Sequence, residues 1–115
     1  MFSSWRAPTA RTHSRIDGFT ITGADTGGGI VVNGYADYLT ISNNKISNNS
    51  GDFGGGIRVG HAALLNETNQ GVQYTDADND YVTIRHNQII SNGGVDGAGG
   101  GISVCTGSDG YQIVQ

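Results

Sequence analysis

The sequence predicts an all-β fold, a parallel β-helix in which about three to four short coils stack into one solenoid. Three observations carry that prediction. The phrase Gly-Gly-Gly-Ile occurs three times, ending at Ile30, Ile57 and Ile102. Ahead of each glycine run stands a spaced pair of isoleucines, Ile16 and Ile21, Ile41 and Ile46, Ile84 and Ile89. No stretch holds apolar residues at a sustained helical spacing, whereas β-branched residues fill the short runs between Gly, Asn, Asp and Ser.

Each unit justifies its strands in the same way. The first offers Ile16, then Ile21, then Ile30 with Val32 two residues on. The second repeats this with Leu39 and Ile41, Ile46, and Ile57 with Val59; the third with Val82 and Ile84, Ile89, and Ile102 with Val104. A further unit opens at Tyr111 and Ile113. Apolar residues at i and i+2 share one face of a strand, so each pair predicts an inward-facing edge. A small antiparallel sandwich gives no reason for like residues at like places in successive units. Coils stacked about 4.8 Å apart do, because like side groups then form ladders inside. The expected ladders are Ile16/Ile41/Ile84/Ile113, Ile21/Ile46/Ile89 and Ile30/Ile57/Ile102.

The strings Tyr38-Leu-Thr-Ile-Ser-Asn-Asn-Lys-Ile46 and Tyr81-Val-Thr-Ile-Arg-His-Asn-Gln-Ile89 sharpen the picture. With Asn44 and Asn87 they resemble the "V-T-I-x-x-N-x-I" coil of the right-handed parallel β-helix repeat proteins of the pectate-lyase-like superfamily. The resemblance covers residues 15–115. It implies a right-handed coil, with the asparagine at a sharp turn bonded to its neighbour in the next coil. Phe19 takes that place in the first coil, so the expected asparagine ladder has at most two rungs. The fold hosts lyases, hydrolases, epimerases, phage tailspikes and inert surface proteins, so it does not fix an activity.

At 115 residues the protein is one domain, read as an N-terminal tail or cap over 1–14 and the repeats over 15–115. The 20 glycines fall in the coil turns, and the single proline, Pro8, lies outside the repeat. Net charge is −4, yet Arg6, Arg11 and Arg15 precede every acid, so the repeat body is strongly acidic. That argues against a nucleic acid or an anionic membrane as partner. One cysteine, Cys105, excludes an internal disulfide and reads as a small, partly buried residue. No transmembrane run and no signal peptide are present in this sequence. Ile113-Val-Gln115 stops inside a strand pattern. A piece of a longer protein is the preferred expectation; end-to-end self-association through open coil edges is the other.

The second unit carries a long outer-loop insertion over about residues 61–80, and functions are usually grafted on such loops. His61, Asn66, Asn69 and Tyr74 are its candidate binding residues, and Asp76, Asp78 and Asp80 its candidate metal ligands. Alternating carboxylates can supply oxygens to calcium, although an ordinary acidic turn is the plainer reading. A site from His61, Cys105 and loop carboxylates would suit a transition metal; a surface histidine is the plainer reading there. Acid–base cleavage of a polysaccharide needs a carboxylate pair or a placed base. No two acids share a strand column; Asp17 and Asp52, for example, do not. The resemblance implies an arginine or lysine beside calcium for a lyase, and Arg58, ahead of Arg85, is the candidate for that role. The leading expectation is a β-helix module of a secreted or cell-surface protein that contacts carbohydrate, with Tyr35, Tyr38, Tyr74 and Tyr81 as stacking surfaces and no complete active site. If active, it would belong to the polysaccharide lyases or glycoside hydrolases. The alternative is a structural spacer of a large adhesin-like surface protein.

Overall fold

The structure is a computed structural model and describes residues 13–60, 77–94, 99–105 and 107–115. Ten strands of three residues each make up its regular structure, with no helix among the described residues. The first coil holds β1 (Arg15–Asp17), β2 (Thr20–Thr22) and β3 (Ile30–Val32). The second holds β4 (Thr40–Ser42), β5 (Lys45–Ser47) and β6 (Ile57–Val59). The third holds β7 (Thr83–Arg85), β8 (Gln88–Ile90) and β9 (Ile102–Val104), and β10 (Gln112–Val114) follows. They pair into three parallel sheets, ordered β1-β4-β7-β10, β2-β5-β8 and β3-β6-β9, an arrangement compatible with a parallel β solenoid.

The registers are the columns expected from the repeat. Ile16 pairs with Ile41, Ile41 with Ile84, and Ile84 with Ile113. Ile21, Ile46 and Ile89 align in the second sheet, and Ile30, Ile57 and Ile102 in the third, with Val32, Val59 and Val104 beside them. Covering sets depth in the first two ladders, while in the third Ile30 is buried at the end of its stack. Ile41, Ile46 and Ile57 in the middle coil are fully buried, whereas Ile16, Ile21, Ile89 and Ile102, with one stacked neighbour fewer, are half-buried. Ile113 is 50% exposed. The inner end beside it opens as a cavity of about 230 Å³ lined by Ile84, Asn87, Ile89, Ile102, Ile113 and Val114.

The glycine runs extend the third sheet. Gly29 N–H donates to Gly55 O at 3.0 Å, Gly56 N–H to Gly100 O at 3.0 Å, and Ile57 N–H to Gly101 O at 2.8 Å. Space, more than backbone freedom, excludes larger residues here. A Cβ on Gly56 would sit 2.5 Å from Gly101 O and 2.9 Å from Ile89 Cγ2. One on Gly29 would sit 2.9 Å from the carboxamide nitrogen of Asn49.

Sharp corners close each coil, and they use a left-handed residue followed by an asparagine wherever a coil above can be reached. Asn43, Asn48, His86 and Ser91 have φ of 55–56°, while Gly18 and Gly23 hold the equivalent places in the first coil. Behind Asn43 and His86 stand Asn44 and Asn87, and behind Asn48 and Ser91 stand Asn49 and Asn92. Asn44 Oδ1 accepts Phe19 N–H at 2.8 Å, and its Nδ2 donates to Ile16 O at 2.9 Å. Asn87 does the same one coil on, accepting Asn44 N–H at 2.9 Å and donating to Ile41 O at 2.8 Å. The ladder expected from the sequence is therefore present with its two rungs. A second ladder, unforeseen, runs beside it: Asn49 accepts Ala24 N–H at 3.1 Å and donates to Ile21 O at 3.0 Å, and Asn92 accepts Asn49 N–H at 3.0 Å and donates to Ile46 O at 2.9 Å. Each rung pairs a part-buried amide and a part-buried carbonyl that a hydrophobic residue would leave without a protein partner.

Candidate functional site

The third corner, where one coil passes to the next, is different in kind. Its first crossing runs through Tyr35, Ala36, Asp37 and Tyr38; its second through Asp78, Asn79, Asp80 and Tyr81; its third through Gly107, Ser108, Asp109 and Gly110. Tyr35 N–H donates to Ala77 O at 2.7 Å, which ties the first crossing to the residue that leads into the second. Asn79, fully buried, is a lone rung here, accepting Ala36 N–H at 3.2 Å and donating to Asn33 O at 3.2 Å.

Three carboxylates share one column at this corner. Asp80 N–H donates to Asp37 Oδ1 at 2.9 Å, and Asp109 N–H donates to Asp80 Oδ1 at 2.9 Å. Asp37 and Asp109 are exposed and Asp80 is half-buried. A search of the strand columns for acids misses these three, although each stands four residues before a unit start at Ile41, Ile84 or Ile113. That fixed offset is the signal that could have found them.

Next to the acids stands an aromatic stack. The rings of His13 and Tyr38 lie 4.7 Å apart and 20° from parallel, and those of Tyr38 and Tyr81 lie 4.9 Å apart and 16° from parallel. A Cβ on Gly110 would come within 2.7 Å of the Tyr81 ring, so the stack ends on bare backbone. Tyr38 and Tyr81 thus turn ring faces to each other and offer a ligand their edges. Tyr35, the most exposed large residue of the corner, takes part in no described ring contact.

The residues singled out from sequence are distributed as follows. His61, Asn66, Asn69, Tyr74 and Asp76 lie outside the described residues. Asp78 and Asp80 fall in different columns: Asp78 has φ 49° and aligns with Tyr35 and Gly107, whereas Asp80 belongs to the carboxylate column. Calcium takes roughly six to eight oxygens, and among the described residues no three His, Cys, Asp or Glu residues gather into a metal site. Arg58 lies on β6 between Val31 and Ser103 of the flanking coils. Among the described residues its buried Nε has no hydrogen-bond partner. Cys105 is half-buried, 3.7 Å from the Ser103 hydroxyl.

One further polar group is built into the outer face of the first sheet. Asp17 accepts hydrogen bonds from Ser42 Oγ at 2.6 Å and Asn43 Nδ2 at 3.1 Å, with Arg15 at 3.5 Å. The Ser42 bond, then the Asn43 bond, hold its carboxyl below the ordinary value of 3.8.

No protein-family model, curated protein or solved structure matches this sequence.

Proposed function

We propose that the protein is a right-handed parallel β-helix of the pectate-lyase-like kind, working as a module of a secreted or cell-surface protein that contacts carbohydrate at its Asp–Tyr corner. Handedness follows from a general rule. Connections between parallel neighbours of one sheet are right-handed in about 98% of cases, because a twisted strand feeds back onto its sheet only that way. The observation that carries the binding reading is the column Asp37/Asp80/Asp109, one carboxylate per coil. Acceptors repeated about every 4.8 Å along the stack suit a polymer of donor hydroxyls lying parallel to it. The neighbouring Tyr38 and Tyr81 add a rigid wall.

The structural-spacer reading is favoured by one specific observation: the tyrosine faces are occupied by each other rather than left for a sugar ring. No catalytic step is proposed for this protein, and Arg58 stays a candidate only for a lyase-type role.

The test is calorimetry of the full chain against a panel of neutral and acidic polysaccharides, with and without calcium. The binding reading expects saturable heat for at least one polymer, lost in the double variant Asp37→Ala/Asp109→Ala whose melting temperature stays close to the parent. No heat across the panel, or heat untouched by the double variant, removes this corner as a carbohydrate site and leaves the spacer.

A further inference from the structure

Two Asn-Gly dipeptides occur among the described residues, Asn33-Gly34 and Asn92-Gly93, and the fold treats them in opposite ways. This dipeptide is the one most open to spontaneous ring closure, because glycine leaves its own nitrogen unshielded and free to turn. The Gly nitrogen attacks the carboxamide carbon of the Asn, forming a new N–C bond and losing its proton to solvent. The bond from that carbon to the carboxamide nitrogen breaks, and the nitrogen leaves as ammonia. Water then opens the five-membered imide at either carbonyl, yielding aspartate or its backbone-lengthened isomer, isoaspartate. Ammonia goes out, water comes in, and nothing is oxidised or reduced.

At Asn92 every participating atom is held. The carboxamide oxygen accepts from Asn49 N–H at 3.0 Å and from Asn49 Nδ2 at 3.1 Å. Its nitrogen donates to Ile46 O at 2.9 Å, and the attacking nitrogen, that of Gly93, donates to Asn49 O at 2.9 Å. Closure there demands that four hydrogen bonds of the part-buried ladder break together. Asn33 is exposed, and among the described residues neither its carboxamide nor the Gly34 N–H has a hydrogen-bond partner. Among the described residues a Cβ on Gly34 would meet only Ala77 O, at 3.4 Å, an ordinary van der Waals contact.

We infer that Asn33 is a site of spontaneous covalent modification, a deamidation and isomerisation site in the folded protein, while Asn92 with the same dipeptide is protected by its rung. The inference is independent of any carbohydrate reading. Its structural consequence is local: Asn33 O is the acceptor of the Asn79 rung, at 3.2 Å the longest of the asparagine-to-carbonyl bonds. The isoaspartate form moves that carbonyl out of the backbone and takes the acceptor from a fully buried carboxamide. The carboxylate column next to it would then gain one more negative charge on its own corner.

The experiment incubates the full chain at mildly alkaline pH, native and in urea, then follows both peptides by mass spectrometry and isoaspartate by enzymatic methyl labelling. In urea the two dipeptides convert at similar rates. In the native protein Asn33 converts while Asn92 lags by about tenfold or more, since opening a core ladder costs a large share of the global stability. Gly34→Ala, which that contact tolerates, slows conversion at Asn33 and leaves Asn92 as it was. Equal native rates at the two sites, faster conversion at Asn92, or a native Asn33 that stays unconverted while the urea control reacts, each overturns the inference.

Discussion

Two kinds of polar ladder descend this stack, and they run in opposite senses. In the asparagine ladders the amide of the earlier coil donates to the carboxamide of the later one, so Phe19 reaches Asn44 and Ala24 reaches Asn49. In the aspartate column the amide of the later coil donates to the carboxylate of the earlier one, so Asp80 reaches Asp37 and Asp109 reaches Asp80. The difference follows from the chemical inventory of the groups. A carboxamide both donates and accepts, so one asparagine can satisfy an amide and a carbonyl at a buried corner; an ionised carboxylate only accepts and keeps its charge. Asparagine therefore serves where both groups are partly shielded from water, and aspartate at an exposed corner where water takes up the remainder.

The largest effect that tests this contrast is the removal of one rung from each ladder. Asn49→Ala orphans Ala24 N–H and Ile21 O and takes a partner from Asn92. Its expected cost is about 3 kcal/mol, since each unsatisfied buried group costs roughly 1–3 kcal/mol. Asp80→Ala strips one exposed amide of its acceptor, which water can replace, at an expected cost of about 1 kcal/mol or less. Urea unfolding of the two variants decides the point. Equal losses would mean that burial is not what separates the ladders.

The next effect separates ring stacking from backbone geometry. Tyr81 has φ 58°, a conformation that costs any residue with a Cβ about 1–2 kcal/mol, and Gly110 adopts it at φ 63° one coil on. Stacking on Tyr38 returns about 1 kcal/mol. Tyr81→Ala keeps the backbone cost and loses the stack, and is expected to lower stability by about 1 kcal/mol. Tyr81→Gly loses the stack but relieves the backbone, and should lie within about 0.5 kcal/mol of the parent in thermal melts. A glycine variant worse than the alanine variant would show that the positive φ at this position carries no cost for glycine to relieve.

The same contrast explains what is legible in the sequence. The isoleucine columns can be read because apolar residues repeat at the same place in every coil and nothing else satisfies a narrow interior. The Asn44/Asn87 ladder is expected because the strings around Ile41 and Ile84 resemble a known coil whose asparagine stacks at a turn. Asn49 and Asn92 keep an equally fixed place behind the second strand, but Asn48, Ser50 and Asn43 surround them with residues of the same type, which hides the column. Asp37, Asp80 and Asp109 escape notice because acids in turns are common, and only register distinguishes a stacked acid from a solvated one. Five of the residues chosen for a site, His61, Asn66, Asn69, Tyr74 and Asp76, belong to a segment that breaks the repeat. Where periodicity stops, so does the inference it supports.

A smaller effect concerns charge alone. Asp80→Asn keeps an oxygen for Asp109 N–H and removes one of three like charges placed at coil spacing. Repulsion between partly exposed charges is weak and screened by salt, so stability should rise by about 0.5 kcal/mol at most, and less at high ionic strength. A loss in low salt would mean that the charged oxygen holds something beyond the amide.

The finest distinction is drawn by acid titration at Asp17, an exposed aspartate on the sheet face rather than at a corner. Ser42 Oγ and Asn43 Nδ2 donate to its carboxylate and hold its pKa below the ordinary value of 3.8, with Arg15 and Arg85 adding attraction. Folding therefore favours the ionised form. The stabilisation is fully present above the unfolded pKa, and it is lost as pH falls through the lower, folded value. Ser42→Ala removes the strongest of these donors and should raise the Asp17 pKa towards the ordinary value, measured by following the carboxyl signal by NMR. It should also flatten the acid limb of the stability curve at pH values near and below about 4, while Asn49→Ala, which lowers stability more, leaves that limb's shape alone. If both variants shift the curve by a constant amount, the Ser42 hydroxyl is no more than packing beneath the carboxylate, and the outer face of the sheet carries no acid-sensitive contact of its own.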